Sequence, residues 1–233
     1  MLPTTILAAH HRRKNAAGSH SAEAYARLKA KITSLELPPA TPIDENALMA
    51  ELGLGRTPIR EALQRLAHEN LVVIYPRRGT LVADLNLSDL QKVFELRLEL
   101  EPFTARLAAE RAAPEEVAAM RALLVELEAV LAAGDHRQLI LLDHQAHALL
   151  AQAAHNEFLE EALDRLYSHV LRLWHVSLHQ VSRLPQAVAE HREIVDAVQA
   201  RDGERAARSM RAHVAGFQSE FMSAAAAGPA SLP

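Results

Sequence analysis

The segment Arg56-Thr57-Pro58-Ile59-Arg60-Glu61-Ala62-Leu63 constrains the fold of this chain more than any other stretch. It sets a proline and two arginines at the mouth of a helix whose apolar residues, Ile59, Leu63 and Leu66, recur at helical spacing. Proline suits the first helical position, where the amide donor it lacks has no partner, and Thr57 is placed to cap the helix. A shorter helix precedes it from about Glu45 to Leu52, with Asp44 as its N-cap and Gly53 in the turn that follows. Earlier still, Ser21 to Leu35 is amphipathic, with Tyr25, Leu28, Ile32 and Leu35 on one face, until Leu37-Pro38-Pro39-Ala40-Thr41-Pro42 breaks it. Asn70 ends the third helix, being one of the few non-glycine residues that accept the left-handed conformation cheaply. Leu71 to Tyr75 and Thr80 to Ala83 then read as paired strands around the tight basic turn Pro76-Arg77-Arg78-Gly79. Three helices followed by a basic hairpin make a winged helix-turn-helix, and that layout points to sequence-specific DNA binding.

Arg56, Thr57 and Arg60 sit at the N-terminal end of the third helix, the part of a recognition helix that reaches base edges. Arg77 and Arg78 at a turn tipped by Gly79 suit a wing lying along a groove, where a missing side chain permits close backbone approach. Taken singly, each residue is ordinary: a lone helical arginine is usually solvated, and Arg60 has Glu61 and the neighbours of Gln64 for local ion pairs. The ordered set is what carries specificity.

The net charge of −4 argues at first against a nucleic-acid binder. Residues 1–85, however, hold 11 Lys and Arg against 8 Asp and Glu, whereas residues 86–233 hold 14 against 21. A mildly basic head on an acidic body is the asymmetry expected of a DNA reader with a regulatory domain. Cysteine is absent, which excludes disulfides and thiolate metal sites. No apolar run is long enough to span a bilayer, and the basic His10-His11-Arg12-Arg13-Lys14 follows rather than precedes the short apolar start, the wrong order for a secretory signal. The expectation is a cytoplasmic protein with a disordered basic arm over 1–19.

From Ser88 the pattern is almost wholly helical, as the few glycines and abundant Ala and Leu favour. Ser88 is placed to cap a helix reaching about Ala112, with Pro102 expected to kink or break it. Pro114 opens a helix ending at Gly134, and further helices fall near 136–154, 157–182, 185–201 and 203–223. About six helices with short connections predict an antiparallel bundle. The tail over 224–233 is of low complexity and expected to be disordered. Histidine is concentrated here, with 9 of the 13 beyond residue 130. Asp143 and His147 are four apart on one helix, and His191 and His213 lie on the last two. One carboxylate with three imidazoles suits Zn, Ni, Mn or Fe. Spacing alone does not select these four, since His175 and His179 are also four apart and His144 adjoins Asp143. His10, His11, His20 and His68 read as exposed, His136 as a helix start, and His155 beside Asn156 as punctuation between helices. His169 and Arg172 lie on a helix suited to lining an internal cavity.

Residues 44–85 closely resemble the winged helix of the GntR family of bacterial transcription regulators, through the run from Leu52 to Leu63, then Leu66, Glu69, Leu71 and Arg78-Gly79-Thr80-Leu81-Val82. The resemblance implies that Arg56, Thr57 and Arg60 contact DNA and that Gly79 forms the wing tip. Gly55 stands where serine is usual, Asn70 where glycine is usual, and Asn46 where some members carry a DNA-contacting arginine. Val93-Phe94-Glu95-Leu96-Arg97-Leu98-Glu99-Leu100-Glu101, with Ala105 to Ala109, resembles the opening helix of the FCD ligand-binding domain of the FadR-type branch. Within that resemblance Asp143, His147, Asn156, Glu190-His191 and His213 fit the branch's metal-binding pattern, although Ala146 replaces a usual aromatic. It further implies a small carboxylate-bearing effector held with the metal's help, and Arg97 matches a pocket arginine. The competing role for Arg97 is a surface ion pair with Glu101, four residues on.

These readings together predict a mainly α protein, with a winged helix-turn-helix over 20–85 and a bundle over 86–223 that binds metal and effector and dimerises. The expected function is a metabolite-responsive regulator, a repressor, with Zn the first expectation for the metal and Ni, Mn or Fe after it. Its partners would be a short palindromic duplex operator, an organic acid and a second copy of the chain, with no membrane. Two rivals are a helical-bundle metalloenzyme and a DNA-binding dimer whose metal is purely structural. No carboxylate is placed as an obvious general base, and an enzyme would leave the N-terminal domain unexplained.

Overall fold

A computed structural model describes residues 20–177 and 182–226, which divide at residue 85 into two compact units. The expected arm over 1–19 and the last residues of the tail, 227–233, lie outside the described residues, as does His179.

In the first unit α1 (20–33), α2 (Glu45–Leu52) and α3 (Arg56–His68) pack with a three-stranded antiparallel sheet of β1 (Pro42–Ile43), β2 (Val72–Tyr75) and β3 (Gly79–Val82). Leu28, Ile32, Leu48, Ile59, Leu63, Leu66 and Leu71 form its core. Asp44 caps α2, its carboxylate accepting from the amides of Asn46 and Ala47, and Gly53 closes it at φ +66°. The sequence reading of α3 needs one correction. The helix starts at Arg56, with Gly55 as a cap that offers no side-chain acceptor, so Pro58 is the third helical residue and Thr57 the second. Proline is harmless there too, because the first four amides of a helix have no intrahelical partner. Asn70 adopts φ +57°, the left-handed turn its side chain tolerates.

β1 was not anticipated. Pro42 and Ile43 pair with Leu81 and Thr80, which makes β3 the central strand. Two residues, one of them a proline, carry too little alternation to signal a strand, and the pairing comes from residues far along the chain. Tyr75 faces Gly79 across the hairpin, leaving Pro76-Arg77-Arg78 as its loop, with Arg77 at φ +63° and Gly79 at φ +95°.

The second unit holds α4 (Leu87–Arg111), α5 (Pro114–Ala133), α6 (His136–Ala153), α7 (Glu157–Ser177), α8 (Leu184–Gln199) and α9 (Gly203–Ala226). Asn86, not Ser88, caps α4, its side-chain oxygen accepting from the Ser88 amide at 2.8 Å. Pro102 does not break α4, which runs unbroken to Arg111. α9 extends to Ala226, three residues into the segment expected as tail. Gly134 ends α5 at φ +72°, and His155 takes φ +48° between α6 and α7. Trp174 lies at the centre of one end of the core, edge-on to Phe217 at 4.7 Å and Phe221 at 5.2 Å between centroids. Among the described residues no helix is long and apolar enough to cross a membrane.

Candidate DNA-reading surface and metal centre

The residues expected to meet DNA are all exposed on the first unit. Arg56, Thr57 and Arg60 occupy the opening of α3, Arg77, Arg78 and Gly79 the hairpin tip, and Asn46 the start of α2. Arg60 donates from Nε to Oε2 of Glu45 at 2.9 Å, and Arg56 donates to the Asn46 amide oxygen at 3.4 Å. The partner of Arg60 is thus on the neighbouring helix rather than on its own. Both contacts are solvent-exposed, and exposed pairs are worth at most about 1 kcal/mol, so phosphate or base contacts can replace them.

The bundle gathers Asp143 and His147 from α6, His191 from α8 and His213 from α9, all buried. Their ligating atoms lie within 4.8 Å of one another. His191 Nε2 is 2.8 Å from Asp143 Oδ1, and the Nε2 atoms of His147 and His213 are 3.2 Å apart. Behind them stands a second layer of carboxylates. His147 Nδ1 faces Glu101 Oε2 at 2.5 Å, and His213 Nδ1 faces Glu190 Oε2 at 3.0 Å. Burial pushes the Glu101 carboxyl up, but Arg97 and His147 outweigh it and hold it at about 2. Burial likewise raises Glu190, and the hydrogen bond and charge of His213, together with Arg183 and Gln186, more than reverse that.

Ionised carboxylates only accept, so these neighbours favour the proton on both Nδ1 atoms, and the two Nε2 atoms then present lone pairs to each other. That contact is repulsive unless a proton or a cation lies between them. Burial, followed by the charge of His191, lowers His213 to about 4, which disfavours the proton. The cluster therefore fits a divalent cation, with each of these imidazoles anchored on its outer nitrogen as metal-binding histidines generally are. Burial would raise the Asp143 carboxyl, yet the hydrogen bond from His191, with positive charge on the three rings, holds it well below the usual carboxylate range, so this carboxylate is ionised and able to ligate.

Tyr167 on α7 escaped the sequence reading. Its hydroxyl donates to Asp143 Oδ2, and its ring stacks on His144 at 4.7 Å. A lone tyrosine on an amphipathic helix looks like core until its neighbour is known. Arg183 was also missed. It pairs with Glu190 at 2.7 Å and donates to the His213 carbonyl at 3.0 Å, bracing the support of that histidine. Of the other histidines, His136 starts α6, His155 meets Glu116 at 3.0 Å, and His175 is half-buried away from the cluster.

Arg97 is 2% exposed and ion-paired with Glu101, with its guanidinium 4.9 Å from the Tyr167 centroid. The pairing with Glu101 foreseen as a surface contact is therefore internal and backs His147. A cavity of about 180 Å³ opens beside His147 and Glu101, between α6 and α7. His144 and Tyr167 line it, whereas Arg97, His169 and Arg172 do not. Arg172 is buried elsewhere along α7 and His169 is half-buried.

Comparison with known proteins agrees with both units. Residues 20–82 match the family described as bacterial regulatory proteins, gntR family, and residues 92–216 match the FCD domain. A probable D-xylose utilization operon transcriptional repressor of Paenarthrobacter nicotinovorans is 32% identical over 189 residues, 80% of this chain and 82% of that protein. The transcriptional repressor RspR of Escherichia coli is 26% identical over 190 residues, 82% of this chain and 83% of its own length. Among solved structures, E. coli McbR/YncC superposes with a TM-score of 0.78 at 21% identity, covering 88% of this chain and 98% of that one, a likeness of fold. Such proteins are regulators rather than enzymes, which removes the metalloenzyme alternative. With a winged helix-turn-helix, a helical bundle and both family matches in order along it, this chain belongs to the GntR family of bacterial transcription regulators and carries an FCD domain.

Proposed function

We propose that this regulator is a metabolite-responsive repressor, acting as a homodimer on a short palindromic operator. Arg56, Thr57 and Arg60 read the major groove, while Asn46 and the Arg77-Arg78-Gly79 tip set the helix and wing against the backbone. Asp143, His147, His191 and His213 hold a divalent cation, zinc first by its preference for nitrogen with one carboxylate oxygen, and Ni, Mn or Fe after it. A cation held there supplies positive charge against which an organic acid's carboxylate lodges. Arg97 keeps Glu101 ionised and so orients His147, and its role toward the effector runs through that pair. His169 and Arg172 stand further off and belong to the packing of α7 around the site.

The observation that carries this reading is the inward convergence of the four ligating side chains beside an open cavity. A purely structural metal has no use for that space. Effector binding shifts the population between states of different operator affinity, so it must favour one of them. The test is fluorescence anisotropy of a labelled operator with metal-loaded protein, after a thermal-shift screen of organic acids has picked binders. A stabilising acid should change operator affinity. Affinity unmoved by every stabilising acid refutes the regulatory half.

A further inference from the structure

We propose that the effector is a monocarboxylate whose far end carries a hydrogen-bond donor, a hydroxyl or an ammonium, and that a second carboxylate at that end is rejected. The inference rests on the reading above, in which one carboxylate lodges at the His147 end of the cavity.

The two ends of the cavity differ in kind. The inner end is formed by His147, Glu101 and Tyr167, and the charge of Glu101 is already matched by Arg97. α6 and α7 run antiparallel, since Tyr167 meets Asp143 and His144 while the short link between the helices joins their other ends. Gln152 and Glu160 therefore line the outer end, about 10 Å along α7 from Tyr167 at 1.5 Å per residue, with Asp164 between. Leu150, Leu163 and Met210 form apolar walls.

Among the described residues lining the cavity there is no lysine or arginine. A second carboxylate reaching the outer end would meet the half-buried Glu160, with no lysine or arginine on the cavity walls beside it. Hydroxyl or ammonium donors would find acceptors in the same place. Like charges set against each other cost binding, while complementary ones fix specificity more than raw affinity. Size sets a further limit. The cavity is small, about 180 Å³, and the separation of about 10 Å between its ends suits a short-chain acid.

The test is calorimetric titration of the full-length, metal-loaded protein with straight-chain acids of about four to six carbons, lengths able to reach from one end towards the other. Each length is supplied in four forms, with the far end a methyl, a hydroxyl, an ammonium or a second carboxylate. Expected is binding of the hydroxyl and ammonium forms about tenfold tighter than the dicarboxylate, a difference of 1.4 kcal/mol, with the methyl form between. Glu160→Lys, a half-buried position on the first turn of α7, should reverse the order of the ammonium and dicarboxylate forms without changing metal content. Dicarboxylates binding as tightly as the ammonium forms in the wild type, or an unchanged order in E160K, overturns the inference and leaves the carboxylate reading standing. If no acid of any length or form binds, the carboxylate reading itself falls.

Discussion

The winged helix carries its candidate DNA-reading residues on the outside, within a short span of chain, whereas the bundle assembles its candidate metal ligands in the interior from residues as far apart as Asp143 and His213. In the head, Arg60 and Glu45 form an exposed pair at 2.9 Å. In the bundle, Arg97 and Glu101 form a buried pair. The two have the same charges and opposite energetics. An exposed pair exchanges freely with water and is open to replacement by a ligand. A buried pair must remain complete, because removing one partner strands the other's charge. Arg60 can therefore be altered without loss of fold, and Arg97 cannot.

The largest effect should come from breaking the buried pair. Arg97→Met is expected to destabilise the metal-free bundle by about 3–5 kcal/mol, read by urea unfolding. Trp174, the sole tryptophan and 2% exposed, reports that unit without interference from the head. Arg60→Met should change stability by less than about 1 kcal/mol in thermal denaturation. Equal losses from the two would erase the contrast.

Function should follow the reverse order. Arg60→Ala is expected to cost about 1–3 kcal/mol of operator affinity, and to relax discrimination at the base it reads, with bundle stability unchanged. Retained discrimination would contradict its base-reading role. Tyr167→Phe removes only the hydroxyl that holds Asp143 Oδ2, so metal affinity should fall about 10–100-fold in competition with a chromophoric chelator. His144→Ala, which removes a ring stacked on the same tyrosine, should leave metal affinity much nearer wild type. The smallest effect is expected at Gly55. A side chain there meets only Pro58 Cδ at 3.9 Å, so Gly55→Ser fits and supplies the missing cap to α3, for a gain of a few tenths of a kcal/mol.

The same division governs what the chain discloses as a sequence. Asp44, Gly53, Asn70 and the Arg77-Arg78-Gly79 tip are local devices, each acting within a few residues, and each was legible. β1 was not, because Pro42 and Ile43 become a strand only through Leu81 and Thr80. The start of α3 was displaced by two residues because a glycine cap leaves no side-chain signature. In the bundle, helix periodicity was plain, while the grouping of Asp143, His147, His191 and His213 came from resemblance among several equivalent spacings. Their supports were less visible still. Tyr167 and Arg183 act through contacts to other helices, which periodicity within one helix cannot reveal. Arg97 shows the limit most clearly. Its partner Glu101 was evident from the spacing, but its burial behind His147 depends on packing across the bundle.

The central claim is that the bundle is built around a bound cation. The direct measurement is the metal content of the purified, dialysed protein by elemental mass spectrometry, beside Asp143→Ala and His213→Ala. The wild type should retain a stoichiometric complement of one divalent metal and lose thermal stability when a chelator removes it, while each variant should hold little or none. A wild type that stays metal-free after incubation with zinc, nickel, manganese or iron, at undiminished stability, would contradict the account.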